Sequence, residues 1–331
     1  MPANQKAKAV KYSMKINDKI YVAGHRGLVG SAIINVLEEA GYHNLLTRTH
    51  KELDLTDQKA VAEFFQLEKP DYVFLAAAKV GGILANNEYP AEFIHQNLQI
   101  QTNVIHEAWR SNVQRLLFLG SSCIYPKNCP QPIKEEYLLT GELEPTNRPY
   151  ALAKIAGIEM CWSYNRQYGT QYMAAMPTNL YGPGDNYDLE KSHVLPALIR
   201  KMHEAKKKNA SEVVIWGTGT PKREFLFNKD MAKACVYIMN LGENKYQRFL
   251  NEKAAPVLNI GTGEDQTIAE LAQLVADVVG YSGELVYDKS KPDGTMRKLL
   301  DVNRVQSLGW KPDVSLKVGI DEAYKAWLNS L

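Results

Sequence analysis

A chain of 331 residues with 45% apolar and 23% charged side chains is long enough to bury a full core and more than one lobe. Its formal net charge of +2 gives no electrostatic basis for nucleic acid or a membrane surface as a partner. The four cysteines form no Cys-x-x-Cys pair, which disfavours a disulfide scaffold or a zinc knuckle and indicates a reducing compartment. We expect no metal site.

The first fifteen residues differ in composition from the rest of the chain. They carry Lys6, Lys8, Lys11 and Lys15, no acidic residue and no apolar signal core. Secretion is therefore not expected, and no apolar run approaches the ~20 residues of a membrane span. We predict a flexible leader over residues 1–14 and a cytoplasmic protein. A transit peptide stays open, although the segment contains no arginine.

The first predicted strand runs from Lys19 to Ala23 and leads directly into a glycine-rich turn, Gly24-His25-Arg26-Gly27-Leu28-Val29-Gly30. An amphipathic helix follows as far as Gly41. This order of elements is typical of dinucleotide-binding proteins, with a plain turn as the alternative. The first glycine allows a tight turn, the second lets the backbone approach a pyrophosphate, and the third lets the helix pack on the strand. The helix N-terminus then faces the phosphate charge.

The second predicted strand, Asn44 to Arg48, ends beside cationic residues. NAD-binding proteins usually place an acidic residue there, which binds the ribose 2′-hydroxyl. This chain has Arg48 and His50 instead, and Arg26 lies in the glycine turn. Because cations suit a 2′-phosphate, we predict NADP(H) rather than NAD, with Glu52 as a weak counter-signal. Alternatively, Arg48 and His50 are simply exposed loop residues.

Apolar strands alternate with helices through the first half of the chain. Strands are predicted at 71–78, 115–120 and 171–177, and helices at 91–111 and from residue 150 onwards. Strands without polar alternation, separated by helices, indicate a parallel sheet covered on both faces. The predicted fold class is therefore α/β: a Rossmann-type doubly wound parallel sheet with a smaller C-terminal substrate-binding lobe. Ligands of such sheets bind beyond the carboxyl ends of the strands.

Tyr150 and Lys154 lie four residues apart on the helix that begins near residue 150. A helix turns every ~3.6 residues, so the phenol and the ammonium share one face. A nearby ammonium favours the phenolate, and such a tyrosine can pass a proton to a carbonyl that takes up a hydride. The same spacing also occurs on many exposed helix faces, which is the alternative.

The alternating pattern loosens after residue 184. We predict a helix from His193 to His203, a strand from Val213 to Trp216, a turn and strand from Pro221 to Leu226, and a sheet strand from Ala255 to Gly261. The predicted dinucleotide-binding domain comprises residues 15–180 and about 224–260. The predicted substrate lobe comprises about 181–223 and 261–331.

Five features stand in one order: the glycine turn, Ser121-Ser122-Cys123-Ile124-Tyr125, Tyr150 with Lys154, Asn179-Leu180-Tyr181-Gly182-Pro183, and Arg223-Glu224-Phe225. Together they resemble the extended short-chain dehydrogenase/reductase family, which acts on nucleotide sugars. The resemblance covers nearly the whole chain from about Lys15. Longer strings are similar to those members that convert GDP-4-keto-6-deoxy-D-mannose to GDP-L-fucose with NADPH, by 3,5-epimerisation and 4-keto reduction: Ala78–Gly82, Gly120–Pro126 and Met176–Pro183.

The resemblance implies a reductase triad of Ser121, Tyr150 and Lys154. Tyr150 would give a proton to O4, Ser121 would hydrogen-bond the carbonyl oxygen, and Lys154 would lower the tyrosine pKa. The resemblance also implies Cys123 and His193 as the base and acid that invert C3 and C5. Ser121 and Cys123 would point the same way on extended chain. The structural alternatives are a small buried apolar residue for Cys123 and a helix-cap or core histidine for His193.

The resemblance further implies the binding residues and a homodimer through helices near 91–111 and 150–168. Those for NADP(H) are Gly24, His25, Arg26, Gly27, Leu28, Val29, Gly30, Arg48, His50, Asp54, Leu55, Leu119, Gly120, Ser121, Ser122, Lys154, Pro177, Thr178, Asn179, Leu180 and His193. Those for the GDP-sugar are Asn179, Lys201, Trp216, Arg223, Asp293 and Lys298. Trp216 could instead be a core residue and Asp293 a turn aspartate.

Some positions depart from the family pattern. Phe225-Leu226-Phe227-Asn228-Lys229-Asp230 stands where the family usually reads Phe-Leu-His-Val-Asp-Asp. His50 and Lys201 stand where arginine is common, so each keeps a potential cation without the bidentate fork. Two rival functions stay open: another nucleotide-sugar epimerase or 4-ketoreductase of the same family, and a non-catalytic dinucleotide-sensing protein.

Overall fold

The computed structural model describes residues 13–189, 192–250, 254–291 and 293–331, with only the backbone of Ile83 and Leu84. Residues 1–12 of the predicted leader lie outside the described residues. The elements of the first half are β1 (Ile20–Ala23), α1 (Leu28–Glu39), β2 (Leu45–Leu46), α2 (Gln58–Glu68), β3 (Tyr72–Leu75), α3 (Ile83–Glu88), α4 (Pro90–Arg110), β4 (Arg115–Leu119), α5 (Arg148–Tyr168) and β5 (Tyr172–Pro177).

The second half contains shorter strands and more turns. Its elements are β6 (Asn179–Tyr181), α6 (Val194–Lys207), β7 (Glu212–Trp216), β8 (Lys222–Arg223), β9 (Phe225–Phe227), α7 (Asn228–Met239), α8 (Glu243–Leu250), β10 (Val257–Ile260), β11 (Gln266–Thr267), α9 (Ile268–Val279), β12 (Glu284–Asp288), β13 (Arg297–Lys298), α10 (Asn303–Ser307) and α11 (Leu316–Leu328). Three short 3₁₀ turns, one at Ser122–Ile124, lie between β4 and α5.

The main sheet has six strands in the order β10-β5-β4-β3-β1-β2, and every neighbouring pair is parallel. All residues of β1, β3 and β4 are buried, because helices cover both faces of the sheet. The predicted doubly wound parallel sheet is confirmed. Ala23 pairs with Leu75, and Leu75 with Phe118, so the turns after these strands meet at one edge.

A fully buried arginine bonds the start of β4 to the end of α7 and the start of α8. Arg115, at the start of β4, is 0% exposed. Its guanidinium donates to the carbonyl oxygens of Met239 at 2.9 Å and Leu241 at 2.7 Å, and pairs with the Glu243 carboxylate at 3.0 Å. Its charge also lies 3.9 Å from the ring centroid of Tyr246. These bonds satisfy the carbonyl of Met239, the last residue of α7, and that of Leu241 just beyond the helix.

The buried apolar side chains form two clusters. The first surrounds the main sheet, and the second packs α6, β7, α9 and α11 together. The lobe boundary is less simple than predicted, because Leu300, Val305 and Trp310 belong to the first cluster. They lie in and around α10, which packs on β10. Residues 261–331 are therefore divided between the two cores.

Two strands are shorter than predicted. β2 contains only Leu45 and Leu46, and β3 ends at Leu75. After β3 the backbone no longer pairs with β1 as a strand, and Ala77 packs against Gly24 of the glycine turn. Within the described ranges, no helix has the length and apolar character needed to cross a membrane.

Candidate active site

The glycine turn between β1 and α1 requires glycine at its first and third positions. Gly24 has φ +85°, and a Cβ there would lie 2.7 Å from the Ala77 amide nitrogen. A Cβ on Gly30 would overlap the Gly24 carbonyl oxygen. At Gly27, by contrast, a Cβ would meet that oxygen at 3.4 Å, an ordinary contact. Internal packing therefore explains two of the glycines, and close approach of a ligand to Gly27 stays a prediction.

The predicted 2′-phosphate cations have different surroundings. Arg48 donates to the Glu68 carboxylate at 2.6 Å and to the Thr47 carbonyl oxygen at 2.8 Å, and lies over the ring of Phe64. His50 is exposed, 3.7 Å from Asp54. Arg26 is exposed at the surface of the glycine turn. Arg26 is thus better placed than Arg48 to give its charge to a ligand, and the phosphate-binding role of all three stays a prediction.

The other predicted cofactor residues lie where main-sheet strands end. Leu119 and Pro177 are the last residues of β4 and β5, and Gly120, Ser122, Thr178 and Leu180 follow them. Thr178 Oγ1 and Asn179 Nδ2 both donate to the Glu224 carbonyl oxygen, at 3.2 and 2.8 Å. Beyond β2, Asp54 accepts from Thr56, and the carbonyl of Leu55 accepts from Asn103 Nδ2 at 2.9 Å.

Tyr150 and Lys154 share one face of the first turns of α5, as predicted. Lys154 Nζ lies 5.7 Å from the Tyr150 ring centroid and donates to the Leu119 carbonyl oxygen at 2.8 Å. Lys154 is 3% exposed, and burial lowers its pKa to about 8. Burial also raises the pKa of Tyr150, and the nearby Cys123 thiol adds to this. The expected lowering of the tyrosine pKa by Lys154 is therefore not found, because burial of the phenol dominates.

Ser121 and Cys123 come together, but not on an extended chain. Ser121 caps the 3₁₀ turn Ser122–Ile124, and its Oγ accepts from the Cys123 amide at 3.4 Å. The prediction that the two side chains point the same way along a strand is wrong, because the chain turns directly after Ser121. Cys123 is buried, and burial raises the pKa of its thiol. Lys298, Ser121 and Lys154 oppose this rise by favouring the thiolate.

His193 occupies the N-cap position of α6, as predicted, without a side-chain capping bond. Solvent reaches the residue, which is exposed. Protein atoms nevertheless surround much of the imidazole, and this partial desolvation lowers the pKa of His193. An imidazole that is both accessible and mainly neutral near pH 7 can exchange a proton with a ligand.

Two predicted substrate cations are neighbours on a small sheet. Arg223 of β8 pairs with Lys298 of β13 in a parallel ladder. Burial lowers the pKa of both groups, and Arg223 lowers that of Lys298 further. The cost of holding two cations together falls when an anion lies between them, so this pair suits a diphosphate.

Trp216 is 64% exposed and is not a core residue. Lys201 Nζ lies 5.2 Å and Lys291 Nζ 5.6 Å from its ring centroid. Lys201 also donates to the Val214 carbonyl oxygen at 3.3 Å. An exposed aromatic face with two ammonium groups suits a base joined to phosphates.

Asp293 fastens the loop before β8. Its carboxylate accepts from the Thr218 amide at 2.9 Å and from the Thr218 hydroxyl at 2.7 Å. It also acts on the charge of Arg223, whose pKa it raises against the larger effect of burial. These contacts fit the alternative that Asp293 is a turn aspartate, and its direct contact with the substrate stays a prediction.

Three residues around this site were not predicted from the sequence to belong to it. Phe93 packs edge-on against Tyr150 with ring centroids 6.3 Å apart. Lys291 lies over Trp216, and the buried Glu224 carboxylate accepts from the amides of Gly263 at 2.8 Å and Leu300 at 3.0 Å. Glu224 lay inside a quoted motif, whereas nothing in the local sequence marks Phe93 or Lys291.

The parallel sheet, its glycine turn and the Ser121, Tyr150 and Lys154 group at the carboxyl edge define a dinucleotide-binding protein of the reductase type. The family profile described as "NAD dependent epimerase/dehydratase family" matches residues 20–261. The chain belongs to this family.

Curated relatives match almost end to end. GDP-L-fucose synthase 1 of Arabidopsis thaliana is 58% identical over 313 residues, 95% of this chain and 94% of the relative. GDP-L-fucose synthase of Escherichia coli is 56% identical over 315 residues, 94% of this chain and 97% of the relative. Among solved structures, the NADP-bound GDP-mannoheptose C4 reductase of Campylobacter jejuni is 43% identical with a TM-score of 0.87, covering 96% of this chain and 100% of that one.

Proposed function

We propose that this chain converts GDP-4-keto-6-deoxy-D-mannose to GDP-L-fucose with NADPH, first by epimerisation at C3 and C5 and then by reduction at C4. The observation that carries the proposal is the placement of Cys123 within the Ser121, Tyr150 and Lys154 group. A simple ketoreductase needs the last three residues but no thiol beside them. The identities above 50% to the two synthases support the same reaction.

The residues fit a bound NADPH, which would supply the hydride that reduces C4. Gly24 and Gly30 let the glycine turn close on its own backbone, Gly27 keeps the surface of the turn free of a side chain, and α1 begins directly after it. Arg26 gives an exposed cation at the same turn. Lys154, held on the Leu119 carbonyl, would bind the nicotinamide ribose. The NADP-bound reductase from Campylobacter jejuni supports this assignment.

The reduction step needs a proton at O4 of the sugar. Tyr150 would donate it, and Ser121 would hydrogen-bond the carbonyl oxygen as negative charge develops. Because the pKa of Tyr150 is raised, its neutral, proton-carrying form prevails at neutral pH.

The epimerisation steps need a base on one face of the ring and an acid on the other. The C4 ketone acidifies the hydrogens on C3 and C5, so a modest base can remove them. Cys123 would take these protons as thiolate: burial raises the pKa of its thiol, and the charges of Lys298 and Lys154 oppose that rise. His193 would return a proton on the opposite face, at the head of α6.

The GDP end would lie against the second core. Trp216, with Lys201 and Lys291, would receive the base, and Arg223 with Lys298 would receive the diphosphate. Asn179 would contact the sugar, and Asp293 would hold the neighbouring loop. Free cysteines at Cys123, Cys129, Cys161 and Cys235 support a cytoplasmic location.

A homodimer through α4 and α5 is part of the proposal. Leu152 and Tyr168 of α5 are exposed apolar side chains, and Tyr168 stacks on Trp109 of α4 with ring centroids 4.2 Å apart. Light scattering after size exclusion should give the mass of two chains. A Leu152→Glu variant should give one, whereas a single-chain mass for the native protein would refute the dimer.

The decisive experiment is incubation with GDP-4-keto-6-deoxy-D-mannose and NADPH in D₂O. We expect loss of reduced-nicotinamide absorbance and GDP-L-fucose carrying deuterium at C3 and C5. Oxidation without deuterium at these carbons would favour a second candidate, a GDP-sugar 4-ketoreductase, which the similarity to the C4 reductase suggests. No oxidation would favour a dinucleotide-sensing protein.

A further inference from the structure

Asn228 stands where the family pattern has valine, and its buried side-chain amide makes hydrogen bonds that valine could not make. It is the first residue of α7, directly after β9. The residue is 3% exposed. A buried amide costs free energy unless its hydrogen-bonding groups are satisfied, so its partners in the fold are informative.

Both hydrogens of the Asn228 amide are used, and their acceptors lie in two different segments of the chain. Nδ2 donates to the Leu28 carbonyl oxygen at 3.1 Å and to the Pro183 carbonyl oxygen at 2.9 Å. Leu28 belongs to the glycine turn. Pro183 belongs to the stretch 179–184, made of β6 and the turn after it, which we call the substrate loop because Asn179 would contact the sugar. One amide group therefore joins the proposed cofactor turn to the substrate loop.

The packing around this amide leaves little freedom. A Cβ on Gly182 would overlap Asn228 Oδ1, so the substrate loop touches the amide on a second side. Lys229 Nζ pairs with the Glu39 carboxylate at 2.8 Å, at the other end of α1. The Asp230 carboxylate accepts from the amides of Asp313 and Val314. The first turn of α7 is thus held to α1 and to the segment before α11.

We propose that Asn228 is a positioning residue that couples cofactor binding at the glycine turn to GDP-sugar binding at the substrate loop. A ligand that fixes the glycine turn also fixes the Leu28 carbonyl, the amide that bonds it and the Pro183 carbonyl beyond. The position of the substrate loop that the second ligand meets is then already set. Such coupling is reciprocal, so either ligand tightens the binding of the other. This inference rests on the proposed function.

The test is calorimetric titration of the full chain with GDP-L-fucose, in the presence and absence of saturating NADP⁺. We expect NADP⁺ to tighten GDP-L-fucose binding at least about fivefold in the native protein. Asn228→Leu keeps the size of the side chain and removes both donors. We expect this ratio to fall to about one, while the affinity for NADP⁺ alone changes less than about threefold. Lys229→Met, which breaks only the neighbouring ion pair, should keep the native ratio.

Two results would overturn the inference: a native protein that binds both ligands without coupling, and an Asn228→Leu variant with the native ratio. Should that variant fail to fold, Asn228→Val takes its place, since valine is the family residue there. Asn228→Val should also lose the coupling, and retention of the native ratio would again overturn the inference. A native protein that binds neither ligand would refute the proposed function itself, which is a different outcome.

Discussion

Replacing Lys154 with methionine should stabilise the protein and inactivate it. The side chain is 3% exposed and its pKa is lowered by burial to about 8. The folded protein therefore binds the proton of the Lys154 ammonium less tightly than the unfolded chain does. Methionine has a similar shape without the charge, so Lys154→Met removes the cost of burying an ammonium and leaves little cavity.

The magnitude follows from the pKa change. A pKa lowered from 10.5 to about 8 corresponds to a cost of about 3 kcal/mol for the protonated lysine, at about 1.4 kcal/mol per pH unit. The lost bond to the Leu119 carbonyl offsets about 1–2 kcal/mol of the gain. We expect Lys154→Met to raise the free energy of unfolding at pH 7 by about 1–2 kcal/mol.

The pH dependence gives a sharper signature than the magnitude. Below pH 8 the lysine is protonated in both states, and its full cost is present. Between pH 8 and 10.5 the unfolded chain binds a proton that the folded protein does not, so the native protein gains stability as the pH rises. The advantage of Lys154→Met should therefore shrink across this window.

Urea unfolding of both proteins at pH 7, 8, 9 and 10 measures this difference directly. A parallel assay of NADPH oxidation should show a loss of about 100-fold or more in the variant. Arg166→Met, at an exposed position on the same helix, serves as a control and should show neither effect. Reduced stability at pH 7, or a stability difference that stays constant with pH, would refute the reasoning.

Further variants test other contacts. Arg115→Met should lower the free energy of unfolding by about 3–5 kcal/mol, measured by urea, because buried carbonyls and Glu243 lose a partner. Gly30→Ala should abolish NADPH binding measured by fluorescence, since its Cβ would overlap Gly24. Arg26→Ala should raise the KM for NADPH more than Arg48→Ala does; the reverse order would contradict the placement of Arg48 on Glu68. Cys123→Ser should lose deuterium exchange at C3 and C5, and full exchange would exclude the thiol as base.

The fold was predictable because its signals are local. Continuous apolar strands, the glycine turn and helical periodicity each lie within a few residues, and β1, β4, α4 and α5 fall within a residue or two of their predicted bounds. The pairing of Tyr150 with Lys154 is equally local, since one helix sets it. The need for glycine at Gly24 and Gly30 also follows from the motif, because a Cβ at either position would overlap backbone atoms.

What escaped prediction depends on distant partners. Arg48 pairs with Glu68, twenty residues away in sequence, and no local pattern marks that choice. The turn after Ser121 changed the geometry around Cys123, and burial reversed the expected direction of the Tyr150 pKa. The departure at Asn228 was visible in the sequence. The bonds it makes were not, because its two acceptors, Leu28 and Pro183, are far from it and from each other in sequence.

Because residues near α10 pack in the first core, the two cores are joined by more than one segment of the chain. The chain passes from the main sheet to the second core after β5, comes back through β9 and α7, leaves again after β10, returns at Leu300 and leaves once more towards α11. Several covalent connections therefore cross the same boundary. Excision of either part would therefore cut the chain at several places. A movement of one core relative to the other has to bend all of these connecting segments together.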